Sequence, residues 1–388
     1  MLQNVKRFLK TAWQTLPDHF VHSAGRPRLQ TLFLLRVDAI GDYVLFRNFL
    51  EVLRQSEQYR NYKITLCGNC AWRDLAETLD ADFVDEFIWV DRNRFLRNPF
   101  YRYRKLKEIA AQGYEVAISP AYSREISFTE SIMRLVVATE KIGSTGDLSN
   151  ITAHQLKNSN RVYTRLLPAS SSVMFEFYRN REFFANLLKK NMNLQQSVIS
   201  LRQSPCAFIL PSPYAVLFIG ASVPDHCWRI EYFAEIARYL QQKRGLNIIV
   251  CGSKNETSML ARFAAIAGRN FIDLTGQTTL IRLVEVIAGC QLLVSNETCA
   301  PHLAVAANVK YIFVLYNGRH YGRFVPYPRE ISPGYRLISV KAIAENPELD
   351  QATRNTNAPS PLVSLDTIIP EEVEHIIEQT LTSDTPNK

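Results

Sequence analysis

Asp38 and Asp42 lie on either side of Gly41 in RVDAIGDYV (36–44), where an apolar run hands over to a helix-forming one. A carboxylate at the mouth of such a turn can take the proton from a hydroxyl, the work of a general base. The same two residues also suit a helix N-cap or a first-turn acid favoured by the helix dipole. A second cluster is FIGASVPDHCWR (218–229), whose Gly-Ala-Ser222 brings small residues and backbone N–H groups near a helix start. That arrangement suits a phosphate, with His226 and Arg229 adding positive charge, although an ordinary strand-to-helix turn reads the same way. In SNETCAPHLAVAANVKYIFVLYNGRHYGRF (295–324), Ser295, Glu297 and Thr298 close one apolar run and Ala-Pro-His302 opens a helix. Polar groups there suit ribose hydroxyls or phosphate oxygens, while His302 equally suits a satisfied core position. Further on, Gly318, His320, Gly322 and Arg323 punctuate a loop, and the planar fork of Arg323 can donate bidentately to a phosphate.

Ligands of open parallel sheets bind outside the carboxyl ends of the strands, so each cluster needs a strand before it. The runs TLFLLRV (31–37), YKITLC (62–67), VDEFIWV (84–90) and YEVAIS (114–119) predict strands of the buried parallel kind. Leu45, Phe49, Val52 and Leu53 recur at helical spacing, and further helices are predicted near 71–79, 101–112 and 174–190. After the linker QSPCAFILPSP (203–213) the alternation starts again. YAVLFIG, LNIIVCG, QLLVS and KYIFVLY predict strands; Ile230, Phe233, Ile236 and Leu240 mark one helix, and Leu280, Leu283, Val284 and Ile287 another. A short helix near 299–307 and a last one in PEEVEHIIEQTL complete the pattern. The fold class that follows is α/β: two Rossmann-like, doubly wound domains of the GT-B kind facing a cleft. Residues 1–28 form a basic amphipathic segment, 29–205 an acceptor domain, 206–350 a nucleotide-sugar donor domain, and 351–388 a polar loop with the C-terminal helix.

A chain of 388 residues, 47% hydrophobic and 21% charged, fits two ordinary globular domains. Its net charge of +8 points to acidic partners. No nucleic-acid-binding signature accompanies that charge, and nucleic acid is excluded. The seven cysteines are odd in number, several in apolar segments, which fits a reducing compartment. Cys67 and Cys70 lack the second pair that a zinc site would need. No G-x-G-x-x-G follows a strand, which disfavours a dehydrogenase, and no Walker A sequence or H-E-x-x-H is present. No run approaches the roughly 20 apolar residues of a membrane span, so a cytoplasmic protein is expected. Residues 1–28 carry Lys6, Arg7, Lys10, Arg26 and Arg28 against Asp18, with Leu2, Val5, Leu9 and Trp13 at helical spacing. This segment reads either as an interfacial helix on anionic lipid or as an ordinary docked helix.

From about residue 31 to 330 the chain resembles glycosyltransferase family 9, the bacterial heptosyltransferase family. The resemblance rests on LLRVDAIGDYVLFRNFLEVLR, KIG (141–143), VLFIGASVPDHCWRIEYFAEIARYL and DLTGQTTLIRLVEVIAGCQLLVSNETCAPHLAVA. It implies that Asp42 is the general base, with Asp38 and Arg124 on the acceptor side. It places Ser222 near the donor phosphates and Glu256, in CGSKNE, at the nucleoside. Thr278, Glu297, Thr298 and His302 join the donor-binding set with His226, Arg229 and Arg323. Two positions depart from the family pattern: His226 stands where a Lys is frequent, and Asp-Thr-Gly becomes Glu297-Thr298-Cys299. The implied reaction transfers a heptose or related hexose, with inversion, from a nucleotide-diphosphate donor, ADP-linked by analogy, to a cell-envelope glycan such as lipopolysaccharide core. The nucleotide sugar is then a substrate, and no cofactor or metal is expected. A lipid-linked acceptor would place the protein at the inner face of an anionic membrane. A GT-B-like sugar-nucleotide epimerase and a non-catalytic nucleotide- or glycan-binding protein are the alternatives.

Overall fold

TLFLLR forms β1 (Thr31–Arg36), buried along its whole length, as a strand with helices on both faces must be. The computed structural model describes residues 13–201, 206–318, 320–346 and 363–383. Most of the expected N-terminal helix falls outside them. β1 pairs in parallel with β2 (Lys63–Asn69) and with β4 (Gly113–Ser119), in registers that set Leu32 beside both Ile64 and Val116. β3 (Glu86–Val90), β5 (Val137–Ser144) and β6 (Arg165–Leu167) extend the sheet in the order β3-β2-β1-β4-β5-β6.

A second parallel sheet repeats that order. Its strands are β7 (Tyr214–Phe218), β8 (Asn247–Cys251), β9 (Ile272–Asp273), β10 (Leu292–Asn296), β11 (Tyr311–Tyr316) and β12 (Tyr335–Ser339). They run β12-β11-β10-β7-β8-β9. In each sheet the chain winds outward one way and then returns to wind the other. The crevice that accepts ligands therefore opens between β1 and β4 in one sheet and between β7 and β10 in the other.

The chain falls into two compact units, one running to Ser172 and including Glu176–Leu194, the other made of Val173–Phe175 and Gln195–Lys388. Both are Rossmann-like, as the sequence predicts. Each has its own core: Phe33, Leu35, Leu106 and Ile132 belong to the first, Leu217, Phe233, Val294 and Phe313 to the second. The helices Arg73–Leu79, Glu176–Leu188, Ile230–Arg244, Leu280–Ala288, Cys299–Ala306 and Pro370–Ser383 stand where periodicity places them.

Several elements differ from the sequence reading. The helix after β1 is two helices, Ile40–Val44 and Asn48–Gln55, joined by a turn tightened by hydrogen bonds such as Phe49 N to the Phe46 carbonyl. The helix expected near 101–112 starts earlier and is preceded by a second short helix. Asp91 caps Arg92–Arg97, and Asn98 with Pro99 at the first helical position starts Pro99–Ala110 afresh. Of the aromatics in 92–107, Phe95 is buried, Tyr101 and Tyr103 are half-buried, and only Phe100 stands out, 73% exposed. Arg102 is buried too: it grips Asp18 at 2.6 and 2.9 Å, and Arg134 reaches the same carboxylate at 2.8 Å. The one acid of the N-terminal segment is thus part of the fold. Every described cysteine is a free thiol, with Cys67 buried and Cys70 exposed. No described helix is long and apolar enough to cross a membrane.

Candidate active site

Both aspartates of the first cluster follow β1, Asp38 in the loop and Asp42 in the short helix after it, and one arginine meets both. Arg36, the last residue of β1, is 1% exposed. Its Nε lies 3.1 Å from Asp38 Oδ2, and its Nη2 lies 3.7 Å from Asp42 Oδ1 and 3.6 Å from Glu176 Oε1. The guanidinium also covers the Phe46 ring at 5.2 Å. Asp42 belongs to the first turn of Ile40–Val44, so the helix-dipole reading holds. Its side chain nonetheless keeps 20% exposure, as does that of Asp38, and both remain open to a ligand. The backbone beneath is fixed from the end of β2 and the turn after it: Asn69 Nδ2 and Trp72 Nε1 donate to the Asp38 carbonyl at 3.1 and 3.2 Å. Trp72 stacks flat on Tyr43, whose hydroxyl donates to Asp80, itself clamped by Arg47.

In the second unit the ends of neighbouring strands are tied by one side chain. Asn296 closes β10 and is fully buried; its Nδ2 donates to the Ile219 carbonyl at 2.9 Å, and its Oδ1 accepts the Trp228 N–H at 3.0 Å. The Gly-Ala-Ser loop after β7 is therefore pinned at both ends, leaving Ser222 exposed at its crest. His226 Nδ1 faces Glu297 Oε2 at 3.9 Å, so the two positions that depart from the family pattern are neighbours. Glu256, after β8, rests on the same loop: a Cβ at Gly220 would lie 2.7 Å from its carboxyl carbon, which only glycine avoids. Glu256 Oε2 is buried with no hydrogen-bond partner among the described residues. Thr298 caps Cys299–Ala306 by accepting the Ala300 N–H at 3.2 Å. Beyond β11, Asn317 Nδ2 donates to the Asp225 carbonyl at 2.7 Å.

The model of glycosyltransferase family 9 (heptosyltransferase) matches residues 102–357, well over half of the chain. The chain belongs to glycosyltransferase family 9. Lipooligosaccharide heptosyltransferase 2 of Haemophilus ducreyi is 34% identical over 89 residues, 22% of this chain and 25% of that protein. The chain thus aligns with about a quarter of the length of that relative. Among solved structures, a family 9 glycosyl transferase from Veillonella parvula covers 94% of this chain and 99% of its own, with a TM-score of 0.67 at 17% identity. E. coli heptosyltransferase WaaC with ADP-2-deoxy-2-fluoro heptose gives 0.66 at 18% identity, over 90% and 99% of the two chains. At such identities the likeness shows the fold.

Not every residue singled out from family 9 lies where the sequence places it. Arg124 is the clearest correction. It is buried, and its Nη2 donates to the carbonyls of Ser144 and Thr145 and to Asn160 Oδ1 at 2.7–3.0 Å, with Ser159 and Glu130 beside Nη1. It braces the loops after β4 and β5. Arg229 lies over Tyr232 and reaches Glu231 at 3.8 Å, both on the helix it precedes, rather than the strand ends. His302 is the satisfied core histidine: its Nδ1 meets the Tyr327 hydroxyl at 2.7 Å, and burial pushes its pKa down to about 4. Thr278 is half-buried, one residue before Thr279, which caps Leu280–Ala288. Arg323 lies over the Phe324 ring in a turn closed by its own N–H to the His320 carbonyl at 2.9 Å.

Arg36, Glu176, Asn180 and Asn296 escaped the sequence reading. An arginine ending a wholly apolar strand, with two aspartates within six residues, was a usable signal for Arg36. Glu176 and Asn180 gave none, since only the fold brings them to β1. Among the described residues, no group of three or more His, Cys, Asp or Glu is placed to hold a metal ion.

Proposed function

We propose that the chain is an inverting glycosyltransferase that moves a heptose or related hexose from an ADP-linked donor to a hydroxyl of a cell-envelope glycan such as lipopolysaccharide core. The observation that carries this reading is the chemistry at the two switch points. One unit presents carboxylates held on an arginine. The other presents a pinned Gly-Ala-Ser loop, a capped helix start and the unpartnered oxygen of Glu256. Family membership and the printed names of the relatives, a lipooligosaccharide heptosyltransferase and a heptosyltransferase bound to an ADP-heptose analogue, support donor and acceptor class.

In this reading the acceptor oxygen attacks the anomeric carbon while its proton passes to Asp42. The anomeric carbon–oxygen bond breaks on the opposite face, and the electron pair leaves with ADP. Backbone N–H groups of the 220–222 loop and of the start of Cys299–Ala306, with Arg323, stabilise the departing diphosphate. The Glu256 oxygen accepts from a ribose hydroxyl. The donor is consumed as a substrate and is not held as a cofactor. A lipid-borne acceptor places the protein at an anionic membrane face, a reading supported by exposed Arg94, Arg97, Phe100, Arg104 and Lys107.

A ligand that binds only the native state raises the melting temperature. ADP should therefore raise it further than equal concentrations of UDP or GDP. Equal shifts from all three would remove ADP from the proposal.

A further inference from the structure

The segment that docks on Pro99–Ala110 is amphipathic the wrong way round. Residues 13–20 are helical, and their polar side chains are the ones turned inward. Gln14 Nε2 donates to the Leu96 carbonyl at 3.1 Å, and Asp18, 4% exposed, is held by Arg102 and Arg134. The apolar side chains stand outward: Trp13 is 68% exposed, Leu16 49% and Phe20 63%. Positions three, four and seven apart share one side of a helix, so these three form a single strip. A helix docked by the hydrophobic effect does the reverse, burying its apolar face and wetting its polar one. Lone exposed apolar residues are ordinary, whereas an aromatic strip along successive turns marks a contact surface. On Pro99–Ala110 the pattern recurs: Arg102 is buried, and Phe100 shares the exposed side with Arg104 and Lys107.

We propose that this strip is an insertion wedge, with Trp13, Leu16 and Phe20 entering the headgroup boundary of an anionic lipid surface. The wedge deepens the membrane placement of the proposed transferase and rests on it. Its border decides for lipid. Exposed Arg97, Arg104 and Lys107 lie on the helices beside it, while Asp18, the acid of the segment, is buried against two arginines. Glu108, on the same helix as Arg104, is paired with Lys105 at 2.7 Å. Trp and Phe beside Lys and Arg suit the interface of an anionic bilayer, with apolar bodies in the boundary and cations at the phosphates. A second copy fits less well, because a two-fold contact would set the same cations against themselves. The clamp on Asp18 gives the wedge a fixed base, so little order has to be gained on binding.

The test uses the full chain and vesicles of phosphatidylserine and phosphatidylcholine, with and without dibrominated phosphatidylcholine, whose bromines quench tryptophan on contact. Trp72 and Trp228 are buried and Trp89 is stacked on Phe87, which leaves Trp13 as the reporter. Bound protein should lose fluorescence to the brominated lipid, and Trp13→Phe should lose that quenching while still binding. Trp13→Gln combined with Phe20→Gln should weaken vesicle binding on the order of tenfold or more. The unfolding midpoint should stay unchanged, because both side chains already stand largely in solvent. That second readout separates a lost contact with lipid from a damaged fold. Vesicle binding without quenching of Trp13, or undiminished in the double variant, overturns the wedge and leaves a purely electrostatic membrane contact. No binding of the wild type at low salt defeats the membrane placement itself, and the wedge with it. Dimers in light scattering that Phe20→Gln dissociates would give the strip to a second copy of the chain and overturn the proposal.

Discussion

Asn296 accepts the backbone N–H of Trp228 at 3.0 Å and, through its amide nitrogen, holds the Ile219 carbonyl at 2.9 Å. One buried amide at the end of β10 thereby fixes both ends of the loop that leaves β7. The shape of the proposed phosphate site depends on it more than on any residue that would touch the phosphate. Asn296→Leu keeps the volume but orphans buried donors and acceptors, at a cost of about 3 kcal/mol of stability. ADP affinity should fall at least on the order of tenfold as the loop loosens. Denaturant unfolding and calorimetry check both, and a variant as stable as the parent with intact ADP binding would show that the loop holds itself.

His302 gives the fold a dependence on pH whose sign can be worked out. Its pKa is pushed down to about 4 by burial, from an ordinary 6.5. Between those values the unfolded chain binds a proton that the folded chain refuses, so stability is full above about pH 6.5 and falls as the pH drops towards 4. The loss amounts to roughly 3 kcal/mol over that window. Denaturation at pH 7 and pH 4.5 measures it, and His302→Gln should flatten this part of the difference. An equally steep fall in the variant would assign the effect to other groups.

Arg94, Arg97, Arg104 and Lys107 are exposed on the helices of 92–110, with Phe100 among them. Each cation near an anionic bilayer contributes about 1 kcal/mol, a contribution that salt screens. Sedimentation with phosphatidylserine-containing vesicles should show binding at low salt that weakens as salt rises. Charge reversal at Arg97, Arg104 and Lys107 should abolish it. Deleting residues 1–28 would be a poor test, because Asp18 anchors Arg102 and the N–H groups of Ala24 and Gly25 bond the Ala110 carbonyl. Vesicle binding that survives the reversal would locate the contact elsewhere.

The strands at the switch points were legible because strands buried on both faces must be apolar: TLFLLR and LLVSN could hardly be anything else. β5 was not, since VATEKIGS carries Glu140 and Lys141 and is buried only at its far end. β6 and β9, of three and two residues, leave no periodicity to read. The site divides along similar lines. Asp38, Asp42, Ser222 and Thr298 stand out as candidates because they follow apolar runs. Glu176 lies far along the chain from Arg36, and no local pattern links the two. Arg124 misled for a related reason: an arginine in a loop after β4 reads alike whether its donors face a ligand or the main chain.

The family match begins at Arg102 and leaves the loop after β1 outside it, so the role of Asp42 stands on chemistry that can be measured directly. Asp42→Asn keeps the side-chain volume and removes the base. The decisive measurement is single-turnover transfer from ADP-heptose to heptose-free lipooligosaccharide by wild type and by Asp42→Asn, with ADP binding followed in parallel by calorimetry. Wild type should yield the heptosylated acceptor with one ADP released per transfer. The variant should bind ADP as the parent does yet transfer on the order of 10² times more slowly. Near-normal transfer by Asp42→Asn, or no transfer by wild type with ADP bound, would contradict the account.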